Sequence, residues 1–352
     1  MADSVAPARE PSQQQTQMFR EAAEAPDVVA RQLSENTSLI AGIAAALRAK
    51  KPRAVVTGAR GSSDHAATYA KYLIETRLGI ITSSIGLSIG SVYGTQPDFR
   101  DTVFLAISQS GKSPDLLVSA ERAKAGGAFV IAIVNDDRSP LANLAHAAIP
   151  LLAGAEKSVA ATKTYLASVS AIAALIAAWA DDGELRDALA KLPDLMRSAW
   201  KADWSDAASR LASANDLYTI GRGVGFGCAQ EAALKFKETC GLHAEAFSSA
   251  EVMHGPMALV KRGFAVLMLS QNDETRAGME ELATKIVASG ADLLVAGFET
   301  RGAIDLPVTP AHPATEPILM AQSFYRMINA LALARGFNPD RPPNLNKITE
   351  TF

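Results

Sequence analysis

Two groups of side chains in this sequence could carry chemistry, and the first follows an apolar run at residues 103–107. Five consecutive apolar residues are typical of a buried strand in a parallel sheet. Pro114 and Asp115 then begin an amphipathic stretch that predicts a helix. Between the strand and the helix lies a segment that we call the hydroxyl turn, with the sequence Ser108, Gln109, Ser110, Gly111, Lys112 and Ser113.

The hydroxyl turn has the composition of an anion site. Free N–H groups at a helix N-terminus and the positive end of the helix dipole attract a phosphate, and serine hydroxyls add donors. Gly111 would allow the backbone to approach the ligand closely. An ordinary serine-rich turn is the alternative, and composition alone does not separate the two. A nucleotide P-loop is excluded, because Ala106 stands where that motif requires glycine.

The second group lies on a helix predicted over residues 228–240. Glu231, Lys235 and Glu238 are spaced by four and three residues, so they share one helix face. A solvated salt-bridge face would have the same spacing. A buried carboxylate beside a lysine could instead act as a general base. His254 lies in a break between a short helix and a loop, where a histidine is either structural or catalytic.

Strands and helices alternate along the chain, which predicts parallel sheets covered by helices on both faces. The predicted strands of the first half occupy residues 53–57, 80–85, 103–107, 128–134 and 147–152. The predicted helices include residues 26–49, 64–77 and a buried core helix at 165–180.

The second half of the chain repeats the first. Arg222 follows Arg60 by 162 residues, and Ser270 follows Ser108 by the same 162 residues. Each of these residues lies at a predicted strand-to-loop junction, so we expect two copies of one α/β unit. The second copy carries acidic residues in its counterpart turn, at 273–274, and these would repel an anion. We therefore expect only the first copy to bind a phosphate.

Composition excludes several classes of function. A net charge of −3 over 352 residues gives no basic field for nucleic acid or anionic lipid. The longest apolar run, residues 165–180, is shorter than the roughly 20 residues that span a bilayer. Cys228 and Cys240 are too few for a disulfide framework or a zinc site. The glycines of residues 221–227 do not fit a dinucleotide fingerprint. We expect a cytoplasmic protein without cofactor or metal, and without nucleic-acid or membrane partners.

Taken together, these residues resemble the sugar isomerase (SIS) family, most of all the isomerase half of glutamine–fructose-6-phosphate aminotransferase. The likeness runs from about residue 18 to residue 352, and it is carried by the hydroxyl turn and by motifs at residues 61–63, 156–163, 231–256 and 344–347. It implies an α/β fold of two SIS domains, each a three-layer αβα sandwich around a parallel, flavodoxin-like sheet. The expected divisions are a disordered segment (1–17), a helical segment (18–52), the first SIS domain (53–190), a helical linker (191–210), the second SIS domain (211–337) and a tail over the active site (338–352).

The resemblance also implies a site for a phosphosugar. Glu238 would move a proton between C1 and C2, with Glu231 and Lys235 in support. His254, supplied by the neighbouring subunit of a homodimer, would open the sugar ring. Lys347 would reach the open-chain sugar, although the prolines of the tail alone favour fraying. The residues expected around the substrate are Gly61, Ser62, Ser63, Ser108, Gln109, Ser110, Ser113, Val159, Ala161 and Asn346.

Three departures from the family pattern bear on function. Ala161 replaces a frequent serine, and Ser62 and Ser113 stand where threonine is common. The glutaminase domain of the aminotransferase begins with a cysteine nucleophile, whereas residue 2 here is Ala2 and the first domain begins too early to leave room for it. Without an ammonia source the reverse reaction is expected, as in a glucosamine-6-phosphate deaminase. A fructosamine-6-phosphate deglycase, an aldose–ketose isomerase and a non-catalytic sugar-phosphate sensor are the alternatives.

Overall fold

The computed structural model describes residue 12 and residues 16–347. Most of the segment expected to be disordered, residues 1–17, lies outside the described residues. Its last two residues belong to the fold, so that expectation is wrong for them. Thr16 is fully buried, and its hydroxyl oxygen accepts a hydrogen bond from the N–H of Phe19 at 3.2 Å. This cap satisfies one of the free donors of the first helix, which begins at Gln17.

Helices and strands alternate through both halves. The strands are β1 (Ala54–Gly58), β2 (Ile81–Ser84), β3 (Thr102–Ser108), β4 (Phe129–Val134), β5 (Ala147–Pro150), β6 (Asp216–Gly221), β7 (His243–Ser248), β8 (Ala265–Leu269), β9 (Asp292–Ala296) and β10 (Ile304–Leu306). The α-helices are α1 (Gln17–Glu35), α2 (Thr37–Lys50), α3 (Ser62–Leu78), α4 (Ser88–Ser91), α5 (Pro114–Ala125), α6 (Pro140–Leu144), α7 (Lys163–Trp179), α8 (Gly183–Ala199), α9 (Ser205–Leu211), α10 (Phe226–Cys240), α11 (Ser249–Val252), α12 (Arg276–Ala288) and α13 (Glu316–Ala334).

The strands form two five-stranded parallel sheets with the same order. The first sheet runs β2-β1-β3-β4-β5, and the second runs β10-β9-β8-β6-β7, which is the same order read from the other edge. Both correspond to the flavodoxin-like order 2-1-3-4-5. The predicted fold of two α/β sandwiches is therefore confirmed, and the 162-residue repeat marks equivalent strand ends. We call the two halves the first and second lobes.

One hydrophobic cluster contains residues of both lobes, and each lobe has a further cluster of its own. Strands β3 and β8 are buried almost throughout, because helices cover both faces of each sheet. The first lobe's α3 and the second lobe's α10 lie unusually close together. A Cβ atom at Gly227 would lie 2.5 Å from the carbonyl oxygen of His65, so only glycine permits this approach. The contact brings the N-terminal half of α10 against the start of α3.

The helix predicted over residues 26–49 is wrong in both position and continuity. The structure has two helices, α1 and α2, and Pro26 lies inside α1. A proline within a helix leaves the carbonyl four residues earlier without its usual donor. Here that carbonyl, on Ala22, accepts a buried hydrogen bond from Nε2 of Gln322 at 2.9 Å. A residue about 300 positions away thus makes the interior proline tolerable.

The expected boundary at residue 190 falls inside α8, so the division between the first domain and the linker is misplaced. Helix α7, by contrast, is buried along nearly its whole length and joins the core, as the sequence indicates. None of the helices in the described part of the chain is both long enough and apolar enough to cross a membrane.

Candidate active site

A cavity of about 370 Å³ opens at the carboxyl ends of the strands in the first sheet. Parallel α/β sheets bind ligands at this edge, outside the strand ends. The second lobe contributes Glu238 to the cavity wall, and the C-terminal tail contributes three residues. The full lining is Arg60, Gly61, Ser62, Ser63, Ile107, Ser108, Gln109, Ser110, Ser113, Leu116, Glu156, Val159, Ala161, Thr164, Tyr165, Ser168, Glu238, Leu345, Asn346 and Lys347. It includes each of the ten residues expected around the substrate.

The hydroxyl turn is shaped by hydrogen bonds to its own backbone. Ser108 Oγ accepts from the N–H of Gly111 at 3.0 Å, and Ser110 Oγ accepts from the N–H of Lys112 at 3.3 Å. Gly111 has φ +63°, a backbone conformation that favours glycine. A Cβ atom there would also lie 2.2 Å from Ser139 Oγ, so there is no space for a side chain. The Lys112 ammonium points away and lies 3.3 Å from the Asp136 carboxylate in an exposed pair.

The start of α3 forms the neighbouring wall. Gly61 precedes the helix with φ +54°, a conformation that favours glycine, and Ser62 and Ser63 occupy the first turn. The N-termini of α3 and α5 therefore both border the cavity, each with serine residues. Two helix N-termini and several hydroxyl groups give this end of the cavity the character of an anion site.

Beneath the cavity lies a buried group that we call the ionic cluster, formed by Glu231, Lys235 and Glu238 of α10. Lys235 Nζ lies 2.6 Å from Glu238 Oε2 and 3.2 Å from Glu231 Oε1. The side chains of Lys235 and Glu231 are 0% and 1% exposed, whereas that of Glu238 is 19% exposed. Ser62 Oγ accepts from Lys235 Nζ at 3.0 Å and donates to Glu231 at 3.1 Å. The salt-bridge face is therefore internal, and only Glu238 reaches the cavity.

The ionic cluster sets the charge states of its members. Burial alone would raise the pKa of Glu231, but the Lys235 ammonium and the hydrogen bonds from His65 and Ser62 hold this pKa below its ordinary value. Burial would lower the pKa of Lys235, but the carboxylates of Glu231 and Glu238 raise it. The depressed pKa means that ionised Glu231 stabilises the fold at neutral pH, and this contribution is lost as the pH falls through the folded-state pKa.

Two further side chains complete the shell around Glu231. His65 Nδ1 lies 3.0 Å from Glu231 Oε2, and the Tyr325 hydroxyl donates to Glu231 Oε1 at 2.9 Å. Burial, and then the neighbouring Glu231 carboxylate, raise the pKa of Tyr325 well above its ordinary value, so Tyr325 remains a hydrogen-bond donor. Glu231 thus joins α3, α10 and α13. Spacing along the chain predicts no catalytic role for His65 and does not single out Tyr325.

The C-terminal tail forms one side of the cavity. Lys347 Nζ lies 3.0 Å from Glu156 Oε2, and Glu156 is buried. Glu156 also accepts from the N–H groups of Thr162 and Thr164 at 3.0 and 3.1 Å. This carboxylate therefore shapes the loop that carries Val159 and Ala161, and it pairs with Lys347. The tail lies as an arm over the cavity, so the fraying favoured by its prolines does not describe it up to residue 347.

Asp340 fastens this tail to the first helix. Its carboxylate accepts from the N–H groups of Gln17 and Met18 at 2.6 and 2.7 Å. These N–H groups have no partner within α1, and the helix dipole favours an anion at this end. The start of α1 therefore anchors the tail at the point where the tail turns toward the cavity.

His254 is not part of this cavity. It follows α11 and is exposed, in a segment of the chain where Met253 and Leu259 also expose apolar side chains. The structure therefore brings Glu238 and Lys347 to the cavity, places Glu231 and Lys235 directly behind its wall, and leaves His254 on the outer surface of the second lobe.

The counterpart of the hydroxyl turn in the second lobe is filled by its own side chains. Gln271 is 1% exposed, and its Nε2 donates to the Arg222 carbonyl at 2.9 Å and to Asp273 at 2.7 Å. A Cβ atom at Gly225 would lie 2.3 Å from Gln271 Oε1, so the space that a ligand would need is taken. In residues 16–347 no group of three or more His, Cys, Asp or Glu side chains could hold a metal ion.

Replacing Ser110 with alanine tests the hydroxyl turn. If the turn holds a dianion, the lost hydrogen bond to a charged group contributes about 1.5–3 kcal/mol. Ser110→Ala should therefore raise the apparent dissociation constant for a phosphosugar by about tenfold or more, measured by calorimetry. Ser84→Ala, at the exposed end of β2, is the matched control. An unchanged affinity in Ser110→Ala would count against an anion at this turn.

Comparison with known proteins agrees with this geometry. The SIS domain model matches residues 47–178 and 210–295. The isomerizing glutamine–fructose-6-phosphate aminotransferase of Aeropyrum pernix is 36% identical over 322 residues, which cover 86% of this chain and 52% of that protein. The corresponding enzyme of Pyrococcus horikoshii is 32% identical over 318 residues, again 86% of this chain and 52% of the relative. This chain thus spans about half the length of these curated relatives.

Solved structures extend the likeness to three dimensions. A candidate phosphosugar isomerase of Silicibacter pomeroyi DSS-3 is 42% identical, with a TM-score of 0.89 over 92% of this chain and 100% of that chain. The C-terminal domain of glucosamine-fructose-6-phosphate aminotransferase from Francisella tularensis has a TM-score of 0.82 at 23% identity, covering 96% of this chain and 100% of that domain, and shares the fold. With the family model matched in both lobes, the chain belongs to the SIS domain family and is related to phosphosugar isomerases.

Proposed function

We propose that this protein is an aminosugar-phosphate deaminase that converts glucosamine 6-phosphate and water into fructose 6-phosphate and ammonia. One observation carries the proposal. A single cavity has a hydroxyl-rich anion end in the first lobe and, from the second lobe, a carboxylate held by a buried lysine. A sugar phosphate bound by its anionic end could present its carbon chain to Glu238.

Each step of the reaction has a candidate group. His254 of a second copy would help to open the pyranose ring. Glu238 would then remove the proton from C2 and return a proton to C1, leaving an imine at C2. Water would add to this imine, and ammonia would leave to give the C2 ketone. Lys235 would hold the Glu238 carboxylate in place at the cavity wall, since the two side chains are in direct contact at 2.6 Å.

Lys347 and Glu156 would act on the open-chain sugar. The ion pair places the lysine ammonium at the cavity wall, where it could neutralise charge that develops on the C1 or C2 oxygen. The aminotransferase relatives are named for a reaction that joins nitrogen to fructose 6-phosphate, and deamination is its chemical reverse. The similarity to these aminotransferases supports a hexose 6-phosphate as the substrate. The present chain spans about half of their length, so the direction of the reaction is taken from the ammonia assay.

The direct test is an ammonia assay. Purified protein is incubated with glucosamine 6-phosphate, and released ammonia and fructose 6-phosphate are both measured with coupled enzymes. Equal amounts of the two products are expected, with no ammonia from unphosphorylated glucosamine. Saturable binding of the sugar phosphate without any turnover would contradict the deaminase and favour a sensor.

An aldose–ketose isomerase is the second candidate. Proton transfer between C1 and C2 by Glu238 needs no amine on the substrate, and the Silicibacter pomeroyi protein of 42% identity is a candidate phosphosugar isomerase. A panel of aldose and aminosugar 6-phosphates, together with a fructosamine 6-phosphate, separates the possibilities. Interconversion of sugar phosphates without ammonia release would favour the isomerase, and release of a free amine from the fructosamine would favour a deglycase.

Subunit complementation tests the proposed role of His254. If the histidine of one copy serves the cavity of another, His254→Ala and Glu238→Gln homodimers should each be nearly inactive. Mixing and exchanging their subunits should restore about a quarter of wild-type activity at equal ratio, because half of the dimers are then mixed and one of their two sites is intact. Failure to recover activity in verified mixed dimers would place His254 outside the site.

A further inference from the structure

Arg60 lies in the loop between β1 and α3 and lines the same cavity as the hydroxyl turn. Neither the spacing of the sequence motifs nor the family resemblance assigned it a role. Its side chain is 56% exposed, so its guanidinium is accessible to a ligand in the cavity. Two observations indicate that its guanidinium serves the anion end of the cavity.

The first is its anchor. Arg60 Nε and Nη2 donate to the same oxygen of Asp115, at 3.0 and 2.7 Å, and the Asp115 side chain is 0% exposed. Asp115 lies in the first turn of α5, directly after the hydroxyl turn. A buried carboxylate therefore holds the guanidinium at the helix N-terminus that borders the anion end of the cavity. Within the described residues, Nη1 of Arg60 has no hydrogen-bond partner.

The second observation is the contrast with the other cation nearby. Lys112 belongs to the hydroxyl turn itself, yet its ammonium pairs with Asp136 at the surface and does not line the cavity. In the second lobe, Arg222 is the repeat equivalent of Arg60, and it donates to Ser248 beside a turn that Gln271 has filled. An arginine facing an open anion pocket occurs only in the lobe that retains the pocket, among the residues the structure describes.

We infer that Arg60 is a substrate-binding residue that contacts the phosphate dianion directly, through Nη1 and the free hydrogen of Nη2. Hydroxyls and helix dipoles supply partial charges, whereas a dianion is matched best by a full cation, and a planar guanidinium can donate two parallel bonds. Arg60 would thereby favour phosphorylated over unphosphorylated sugars. The inference rests on the proposed phosphosugar site.

Calorimetric titration with inorganic phosphate and with fructose 6-phosphate tests the inference without requiring turnover. Arg60→Met should weaken the binding of both ligands by about 10- to 100-fold, the range for a hydrogen bond to a charged group. The affinity of Arg60→Lys for both ligands should lie between that of wild type and that of Arg60→Met, because lysine supplies a positive charge but cannot donate two parallel hydrogen bonds. Arg186→Met, the matched control, removes a half-exposed arginine that pairs with Asp181 away from this cavity, and it should bind both ligands within about twofold of wild type.

Removing Arg60 takes a cation away from the buried Asp115 carboxylate, and this could disturb the turn indirectly. The double variant Arg60→Met/Asp115→Asn removes both charges and answers this objection. Equal weakening in the single and double variants supports direct contact, and recovery of phosphate affinity in the double variant overturns it. Unchanged affinity in Arg60→Met, or no phosphate binding by the wild type, also overturns the inference. Absence of ammonia release together with Arg60-dependent phosphate binding would instead refute only the proposed reaction.

Discussion

Glu238→Gln is expected to lower turnover of glucosamine 6-phosphate by about 10²–10⁴-fold, the usual contribution of a general acid–base group. Glutamine keeps the size of the side chain and can still contact Lys235, but it cannot take up a proton at neutral pH. Since Glu238 is the one member of the ionic cluster that lines the cavity, the proton transfer between C2 and C1 depends on it. Steady-state kinetics of ammonia release measures the effect.

Phosphate affinity separates a chemical effect from a structural one. The hydroxyl turn is in the first lobe, so Glu238→Gln should bind fructose 6-phosphate within a few-fold of wild type. Hydrogen exchange at C1, followed by NMR in deuterated water, should disappear along with turnover. Turnover close to wild type in this variant would remove Glu238 from its assigned role and leave the cavity without a base.

Lys235→Met is expected to give the largest loss of stability. Lys235 is 0% exposed and contacts both Glu231 and Glu238, so its removal takes away the cation that these two carboxylates share, and one of the carboxylates is fully buried. Breaking a buried ion pair from one side typically costs about 3–5 kcal/mol. We therefore expect a large fall in the thermal midpoint together with loss of activity. Differential scanning calorimetry and urea titration, each at pH 7, provide the measurement.

The same helix offers a matched control. Lys237 is two residues further along α10, is exposed, and donates to the Ala244 carbonyl at 3.0 Å. Lys237→Met should change the free energy of unfolding by less than about 1 kcal/mol. Adding Glu231→Gln to Lys235→Met should recover part of the lost stability, because one uncompensated charge is removed. If Lys235→Met were as stable as Lys237→Met, the cluster would not be held together by charge.

The sequence predicts the sheets well, because the strands of a doubly covered parallel sheet must be apolar on both faces. The runs at β3 and β8 have this property, and their 162-residue spacing indicates the duplicated order. The error at Pro26 has an equally physical cause. Local rules place a helix boundary at a proline, and the Gln322 hydrogen bond that makes Pro26 tolerable comes from the far end of the chain.

Prediction of the site from the sequence is limited in the same way, because local patterns do not include contacts between distant residues. The hydroxyl turn is local in sequence, so its composition indicates an anion site. The burial of Glu231 and Lys235 depends on how closely α3 and α10 approach, and the close contact at Gly227 that permits this cannot be read from spacing along one helix. His65, Tyr325 and Arg60 belong to the site because they contact the carboxylates of residues far away in the sequence. No single sequence motif contains both partners of such a contact.

The hydrogen bonds from Gln17 and Met18 to Asp340 have a practical consequence for work with this protein. Residues 345–347 of the tail line the cavity, and Asp340 holds the tail to the start of α1. A shortened version of the protein that lacks either α1 or the tail would lose this contact and, with it, the support of one side of the cavity. Kinetic work therefore requires a protein in which α1 and the tail are both intact.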